Sequence, residues 1–194
     1  MSDLSDTVNE RIGGEADTFN NVVAILVTVL ATLMALFNVK DGNIVQSMAM
    51  VQAQSIDTWG HYQAKSVKEN MVEGMLDQLR VQRSLLTLPN ALLEEKILFN
   101  QTEVKRYRQE KEELKAKAEG LDREYNRLNL HDDQFDLAEA GISVAIAILG
   151  IAALTRKRAL VGLALILGGF GVFMGVAGFL AWPIHPDLLA SLFS

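Results

Sequence analysis

Three long apolar runs constrain what this chain can fold into. They cover residues 22–39, 137–154 and 159–182. Each holds about 18 residues or more, and a helix rising about 1.5 Å per residue just crosses the roughly 30 Å hydrocarbon region of a bilayer at that length. The three runs therefore predict an all-α integral membrane protein with three transmembrane helices.

A secretory signal peptide is the alternative interpretation of the first run. Such a peptide has a basic segment before the apolar run and a small-residue cleavage site after it. The acidic N-terminal segment 1–21 carries five carboxylates against Arg11, and no Ala-x-Ala pattern follows Leu36. We therefore expect this run to remain in the protein as a membrane span.

The second and third runs are separated by the polar turn 155–158, which contains Arg156, Lys157 and Arg158. Charged side chains are costly in hydrocarbon, so this turn belongs at a membrane surface and the two spans form an antiparallel hairpin. Trp182 stands at the end of the third span, and we expect the prolines of the C-terminal tail 183–194 to stop that helix.

The basic triplet in the 155–158 turn also predicts the topology. Short loops rich in Lys and Arg stay on the cytoplasmic side, which gives a cytoplasmic N-terminus and an extracytoplasmic segment 40–136. The contrast is modest, because Lys40, Arg123 and Arg127 lie near span ends on the other side. A cysteine introduced at the tip of the hairpin formed by 40–136 should react with an impermeant thiol reagent in intact cells, and reaction only after lysis would contradict this topology.

Residues 40–136 contain a single helix breaker, Pro89. We expect two helices of about 43–87 and 91–131, joined by a tip near 87–91, with lengths of roughly 67 and 61 Å. The matched lengths predict a long antiparallel, coiled-coil-like hairpin outside the membrane. The first span should continue into one hairpin helix, and the other should continue into the second span through an acidic collar at 132–139.

The two hairpin helices differ in their apolar patterns. The second has a heptad seam with steps of three and four, formed by Ile97, Asn100, Val104, Tyr107, Lys111, Leu114, Ala118, Leu121, Tyr125 and Leu128. The first has apolar residues on more than one face: Ile44, Met48, Val51, Ile56, Trp59, Val67, Met71, Met75, Leu76, Leu79, Leu85 and Leu86. A stripe that broad indicates packing against neighbouring copies as well as against the second helix, although burial within the hairpin alone is the simpler alternative.

No segment has the pattern of a catalytic, cofactor or metal site. The net charge of −6 argues against nucleic-acid binding, and the absence of cysteine excludes thiolate chemistry. Trp59, His61 and Tyr62 form an aromatic cluster that is either a recognition patch or helical packing. The carboxylates at 132–139 lack the glycine and spacing of a calcium loop, so we expect a hydrated collar.

Two sets of residues inside the second and third spans predict packing. Asp136, Glu139 and Ser143 form a polar or small stripe with Ala147 and Gly150, and ionisable groups in a membrane face protein or water. The stripe should therefore face another helix. Gly171 and Gly175 form a Gly-x-x-x-Gly pair, which favours close helix packing over a pore-lining role.

Four strings carry a resemblance to a known family. They are the first span, Asp57-Thr58-Trp59-x-x-Tyr62-Gln63-Ala64-Lys65-Ser66, His131-Asp132-x-x-Phe135-Asp136-Leu137-Ala138-Glu139-Ala140, and Leu154-Thr155-Arg156-Lys157-Arg158. Together they resemble the bacterial membrane protein family catalogued as domain of unknown function 4337, over nearly the whole chain. The resemblance implies a bacterial plasma membrane location and brings no activity, cofactor or catalytic residue.

The sequence therefore favours a non-enzymatic membrane protein whose hairpins pack into a homo-oligomeric scaffold, ring or cage. A small channel or transporter component is the main alternative, because of Glu139 and Ser143, and a partner-binding membrane adaptor is another. We expect no cofactor, and the expected partners are the lipid bilayer and further copies of the chain.

Overall fold

The protein is built from three α-helices. The computed structural model describes the backbone of residues 2–88 and 90–184 and the side chains of residues 18–88 and 90–184. Helix α1 is Ser2–Leu85, helix α2 is Ala91–Thr155 and helix α3 is Arg158–Phe179, and these described ranges contain no strand. The all-α prediction is confirmed, and all three helices contain a stretch long and apolar enough to cross a membrane.

Helices α1 and α2 are each uninterrupted through an apolar run and a charged segment. This agrees with the expectation that the first span continues into one hairpin helix and that the other continues into the second span. No proline lies within either helix, and isolated glycines cost a helix only about 1 kcal/mol each. Backbone hydrogen bonding can therefore continue across the change in composition.

The connection between α1 and α2 is short, and Asn90 caps α2. The Asn90 side-chain oxygen accepts a hydrogen bond from the Leu93 amide at 3.3 Å, and its carbonyl accepts one from the Glu94 amide at 3.1 Å. These bonds satisfy donors at the helix start that would otherwise lack partners. The predicted tip near 87–91 thus coincides with the break between the helices, while Pro89 itself lies outside the described residues.

The connection between α2 and α3 is tighter than predicted. Only Arg156 and Lys157 lie outside helices, because Thr155 still belongs to α2 and Arg158 already begins α3. Arg156 has a φ of 55°, a left-handed conformation that reverses the chain within two residues. The reversal makes α2 and α3 consecutive antiparallel neighbours.

Helix α3 ends before the predicted boundary at Trp182. The Ala181 amide donates to the Gly178 carbonyl at 3.2 Å and the Trp182 amide donates to the Ala177 carbonyl at 2.9 Å, while Ala181 has a φ of 54°. This is the bonding pattern of a Schellman C-cap. The helix is therefore stopped by a left-handed residue, and Pro183 follows a helix that has already ended. Pro186 lies outside the described residues.

The chain divides into two compact units. One, the three-helix unit, combines the described residues up to Ser47 with those from Arg127 onward, and the other, the hairpin unit, is Met48–Asn126. Helices α1 and α2 contribute to both units.

In the hairpin unit, α1 and α2 pack antiparallel along matching heptad seams. The predicted α2 seam is confirmed, because its residues from Ile97 to Tyr125 are all buried or half-buried. The facing seam of α1 also alternates in steps of three and four and consists of Met48, Val51, Ser55, Thr58, Tyr62, Lys65, Glu69, Val72, Leu76 and Leu79. Several of these α1 residues are polar, so the pairing depends on specific hydrogen bonds and ion pairs as well as on apolar burial.

In the three-helix unit, small residues let the helices approach closely. Buried residues of α3 follow the same three-four spacing: Ala164, Gly168, Gly171, Gly175 and Gly178. A Cβ added to Gly171 would lie 2.8 Å from the Ala138 carbonyl oxygen and 2.9 Å from the Ile142 amide nitrogen. The backbones of α2 and α3 are therefore in direct contact at this crossing.

Candidate functional site

The aromatic cluster predicted around Trp59 is divided between two faces of α1. The Trp59 indole donates to Asp122 Oδ2 at 3.2 Å and makes an edge contact with the Tyr62 ring at 5.4 Å between centroids. Ser55 Oγ donates to the other oxygen of Asp122 at 2.5 Å. Trp59 and Tyr62 are therefore part of the packing against α2. His61 is exposed, and its Nε2 atom lies 3.5 Å from Oδ2 of Asp57 on the same helix.

The outward face of α1 in the hairpin unit is apolar and lined with small residues. We call it the outer seam; its residues are all exposed, and they are Met50, Ala53, Asp57, Gly60, Ala64, Val67, Met71, Gly74, Gln78, Val81 and Leu85. The spacing is again three and four, so the outer seam has the pattern of a helix-packing surface. Met71 is 67 % exposed and Val67 is 58 % exposed. A Cβ added to Gly60 or Gly74 would have open space around it.

The corresponding outward face of α2 is mainly polar beyond the exposed Phe99 near its start. Its exposed polar residues are Thr102, Arg106, Gln109, Glu113 and Arg123. Charged residues are depleted at the centre of protein interfaces. The outer seam of α1 agrees with this pattern, because Asp57 is its one charged residue. The two outward faces of the hairpin unit thus differ in character, and the apolar one belongs to α1.

A buried carboxylate in the hairpin unit was not anticipated from the sequence. Glu69 accepts hydrogen bonds from Arg108 Nε at 3.0 Å and pairs with Lys111 Nζ at 2.6 Å, while its side chain is only 5 % exposed. The bond to Lys111 is the main reason that the pKa of Glu69 lies below its usual value. Lys111 had been recognised as a polar member of the α2 seam, and continuing the α1 seam to Glu69 would have identified its partner.

A cluster of carboxyl groups lies in the three-helix unit, where the apolar runs of α1 and α2 meet their charged segments. The expected collar at 132–139 is present on α2, and α1 adds Asp41, which sequence analysis had not singled out. The carboxyl groups of Asp41 and Asp132 lie close enough for each to change the pKa of the other. Burial, followed by the nearby charges of Asp41 and Asp136, raises the pKa of Asp132 to about 6. Burial and Asp136 likewise raise the pKa of Asp41.

These carboxyl groups do not form a metal site. Among the described side chains, no group of three or more His, Asp or Glu residues is arranged to hold a metal ion. After burial, the groups that raise the pKa of Asp132 are the carboxyl groups of Asp41, Asp136 and Asp133.

The stripe predicted to face another helix is exposed within a single chain. Asp136, Glu139 and Ser143 are all exposed, and so are Ala147 and Gly150 farther along α2. Ser143 Oγ makes one long contact, 3.5 Å from Met34 Sδ on α1. The opposite face of α2 is the one that packs, through the fully buried Ile142 and Leu149. Contact of the stripe with a second chain remains a prediction.

Gly171 and Gly175 both lie in the interior of the three-helix unit. Gly171 contacts α2 at Ala138 and Ile142, and Gly175 lies directly under the Phe37 ring, where an added Cβ would overlap the aromatic carbons. Both residues are buried by helices of the same chain. The close-packing interpretation therefore agrees with the structure, and neither glycine lines an open space.

A second unanticipated feature ties α2 to the segment after α3. Gln134 is completely buried, and its amide nitrogen donates to the carbonyls of Trp182 at 3.0 Å and Ile184 at 2.8 Å. His131 Nδ1 lies 3.2 Å from the Gln134 side-chain oxygen. Because that oxygen can only accept, the contact requires the proton on Nδ1. The available sequence signal was a polar residue three and four positions before the apolar Leu137 and Ala138, on the same helix face.

A groove in the hairpin unit is lined mainly by charged side chains. It has a volume of about 490 Å³ and lies between α1 and α2, lined by Glu73, Leu76, Asp77, Arg80, Gln101, Val104, Lys105 and Arg108. Arg108 crosses it to bond Glu73 at 2.8 Å. The lining contains no hydroxyl or imidazole group, and its ionisable groups are the carboxylates of Glu73 and Asp77 and the basic side chains of Arg80, Lys105 and Arg108.

Comparison with known proteins identifies a family and no characterised relative. No curated protein and no solved structure matches the chain significantly. A family profile, by contrast, matches residues 19–181, which include the first two apolar runs, all but the last residue of the third, and the whole hairpin unit. The chain belongs to the family described as domain of unknown function (DUF4337).

Proposed function

We propose that this protein is a membrane-anchored, non-enzymatic scaffold that assembles from several copies of itself through the outer seam of α1. The observation that carries the proposal is the exposure of that seam. It presents small and apolar residues at heptad spacing over Met50 to Leu85, and no other part of the described chain covers it. An exposed apolar stripe of this length is typical of a protein–protein contact surface.

Anchoring in a membrane is supported by the residue distribution of the three-helix unit. Many of its buried residues are small, such as Ala138, Ala145 and Gly168, whereas many large apolar side chains are exposed, such as Ile25 and Ile166. Small residues at helix contacts and large apolar residues on the outside are typical of helices packed within lipid. The three apolar helices are also long enough for the span.

A second copy of the chain is the partner that best fits the outer seam. Gly60, Ala64 and Gly74 leave room for another backbone, while Val67 and Met71 supply side chains that can fill the space beside a partner's glycine. Copies inserted into one bilayer with the same topology run in the same direction. We therefore propose a parallel, in-register contact between the α1 helices of two copies, with Asp57 as the one charged position.

Charge introduced on the outer seam should separate the copies. Replacing Val67 and Met71 by Glu places two carboxylates from each chain opposite each other, and like-charge contacts in an interface cost several kcal/mol. In analytical ultracentrifugation of the full chain in detergent, we expect the wild type to sediment as an oligomer and the double variant to shift toward the monomer.

The matched control for this experiment is Thr102→Glu, which adds a charge to the exposed, polar outward face of α2. We expect this variant to sediment like the wild type. A wild-type protein that stays monomeric at every concentration would refute the proposal, and so would an equal effect of the charges on the two faces.

A channel or transporter component is the second candidate, and the exposure of Asp136, Glu139 and Ser143 favours it. If several copies surrounded an aqueous path, these polar side chains would be suited to line it. Glu139→Gln would then alter ion flux in liposomes that contain the protein. Absence of flux with the wild type would remove this candidate and would leave the scaffold proposal unaffected.

For location and topology, we propose a bacterial plasma membrane in which the basic turn at Arg156 and Lys157 faces the cytoplasm and the hairpin unit lies on the other side. The dense positive charge of that short turn supports this orientation.

A further inference from the structure

We propose that Asp41 and Asp132 share one proton and form a pH-sensitive clasp between α1 and α2 within the three-helix unit. The inference is independent of self-assembly, because both residues belong to one chain. It concerns the end of the unit at which the apolar run of each helix gives way to charged residues.

The position of the pair is fixed by an aromatic contact one helical turn away. Phe37 on α1 and Phe135 on α2 are both buried, with their ring centroids 6.1 Å apart. Asp41 follows Phe37 by four residues and Asp132 precedes Phe135 by three, so both carboxyl groups project from the same side of their helices as the rings. The helices hold the two acidic groups together in spite of their charge.

A direct contact between the two groups requires a proton. Oδ1 of Asp41 is buried without a hydrogen-bond partner, and the Asp132 carboxyl is close enough to act on the Asp41 pKa. An ionised carboxylate can only accept hydrogen bonds, so two of them cannot bond to each other. A hydrogen bond forms when one of the pair is protonated and donates to the other, as in the acidic dyads that titrate as a unit.

The surroundings favour retention of that proton. On α2, Asp133, Asp136 and Glu139 add further negative charge, and His131 is engaged with Gln134. On α1, the neighbouring Lys40 is exposed, and from Leu160 to Ile184 helix α3 and the segment after it contain no ionisable side chain. The groups that act most strongly on Asp132 all raise its pKa, which reaches about 6, and none of them is a cation.

The direction of the pH effect follows from these shifts. Both carboxyl groups have pKa values above the ordinary value of 3.8, so the folded state binds more protons than the unfolded state between about pH 4 and pH 6. The stabilisation is therefore complete below that window and is lost as the pH rises through about 6. Above it, both groups are ionised and repel each other, and the ends of α1 and α2 separate more readily.

The test uses the full chain in detergent micelles and two measurements. Titration of the aspartate carboxyl carbons by NMR should reveal one group with a midpoint near pH 6, which returns toward the ordinary range in Asp41→Asn. Hydrogen exchange, corrected for intrinsic rates, should show that amides near Asp41 and Asp132 lose protection about tenfold or more between pH 5 and pH 8.

Asp132→Asn is the informative variant, because its amide can donate to Asp41 at every pH. We expect its exchange protection to be the same at pH 5 and pH 8, whereas the control Asp77→Asn, on an exposed ion pair in the hairpin unit, should retain the wild-type pH dependence. Ordinary titration of both aspartates in the wild type would overturn the proposal, and that measurement needs no variant to fold. Equal pH dependence in the wild type and Asp132→Asn would overturn it as well.

Discussion

Gln134 shows how a single buried polar residue can hold an irregular segment of the chain in place. Helix α3 ends in a left-handed turn, and the carbonyls of Trp182 and Ile184 beyond it have no helical partner. The Gln134 amide donates to both of them from α2. In an apolar environment an unsatisfied carbonyl is costly, so these two bonds fix the chain where it leaves the helix.

Replacing Gln134 by Leu should destabilise the three-helix unit. The change keeps the approximate volume but removes the donor to both carbonyls, and only the Trp182 carbonyl retains another donor, the Ile184 amide at 2.8 Å. We expect a loss of about 1–3 kcal/mol. Thermal or denaturant unfolding in micelles would measure it. Gln63→Leu, at an exposed position of the hairpin unit, is the control and should change stability by less than about 0.5 kcal/mol. Equal effects of the two substitutions would contradict this role.

Residues of this kind are the part of the molecule that the sequence did not predict. Gln134 and Glu69 were missed because a buried polar residue is recognised by its partner, and each partner lies far away along the chain. Asp41 was missed for the same reason, since its significance comes from Asp132. Trp59 was found as a distinctive residue, but its bond to Asp122 was not.

The elements themselves were much easier to predict. The α2 seam from Ile97 to Tyr125 is confirmed residue by residue, because heptad spacing depends only on the local chain. The ends of α2 and α3 were less accurate. The turn between α2 and α3 consists of Arg156 and Lys157 alone, because the left-handed Arg156 reverses the chain. Helix α3 ends at Phe179, because the left-handed Ala181 stops it before the prolines. Such conformations at Arg156 and Ala181 have no clear sequence signal, since glycine normally occupies them.

The glycines of α3 lead to a prediction about how α3 packs against its neighbours. Gly175 lies under the Phe37 ring, whereas Gly169, on the same helix, has open space around it. Gly175→Ala should therefore cost about 1–3 kcal/mol, because the aromatic ring has to move within a packed unit. Gly169→Ala should be neutral or stabilising by up to about 1 kcal/mol.

Unfolding of the two alanine variants in the same micelles would compare them directly. They differ only in which face of α3 receives the methyl group, so helix propensity cancels. A smaller loss for Gly175→Ala than for Gly169→Ala would mean that α3 does not pack against α1 as described.

For the whole molecule, the central question is what covers the outer seam of α1. The first helix had been recognised as apolar on too many faces for one partner, and the structure separates those faces. Met48 and Leu76 face α2, whereas Val67 and Met71 are exposed. The sequence could predict that two faces exist, but only the packed hairpin identifies which of them remains free. Self-assembly through that free face is the account we propose.

Disulfide cross-linking in native membranes tests this account most directly, because the natural sequence has no cysteine. A parallel, in-register contact places each outer-seam residue opposite its own copy. Met71→Cys should therefore form covalent dimers under mild oxidation, while Thr102→Cys, exposed on the outward face of α2, should remain monomeric. Dimers at Thr102 but not at Met71, with both proteins intact in the membrane, would contradict the account.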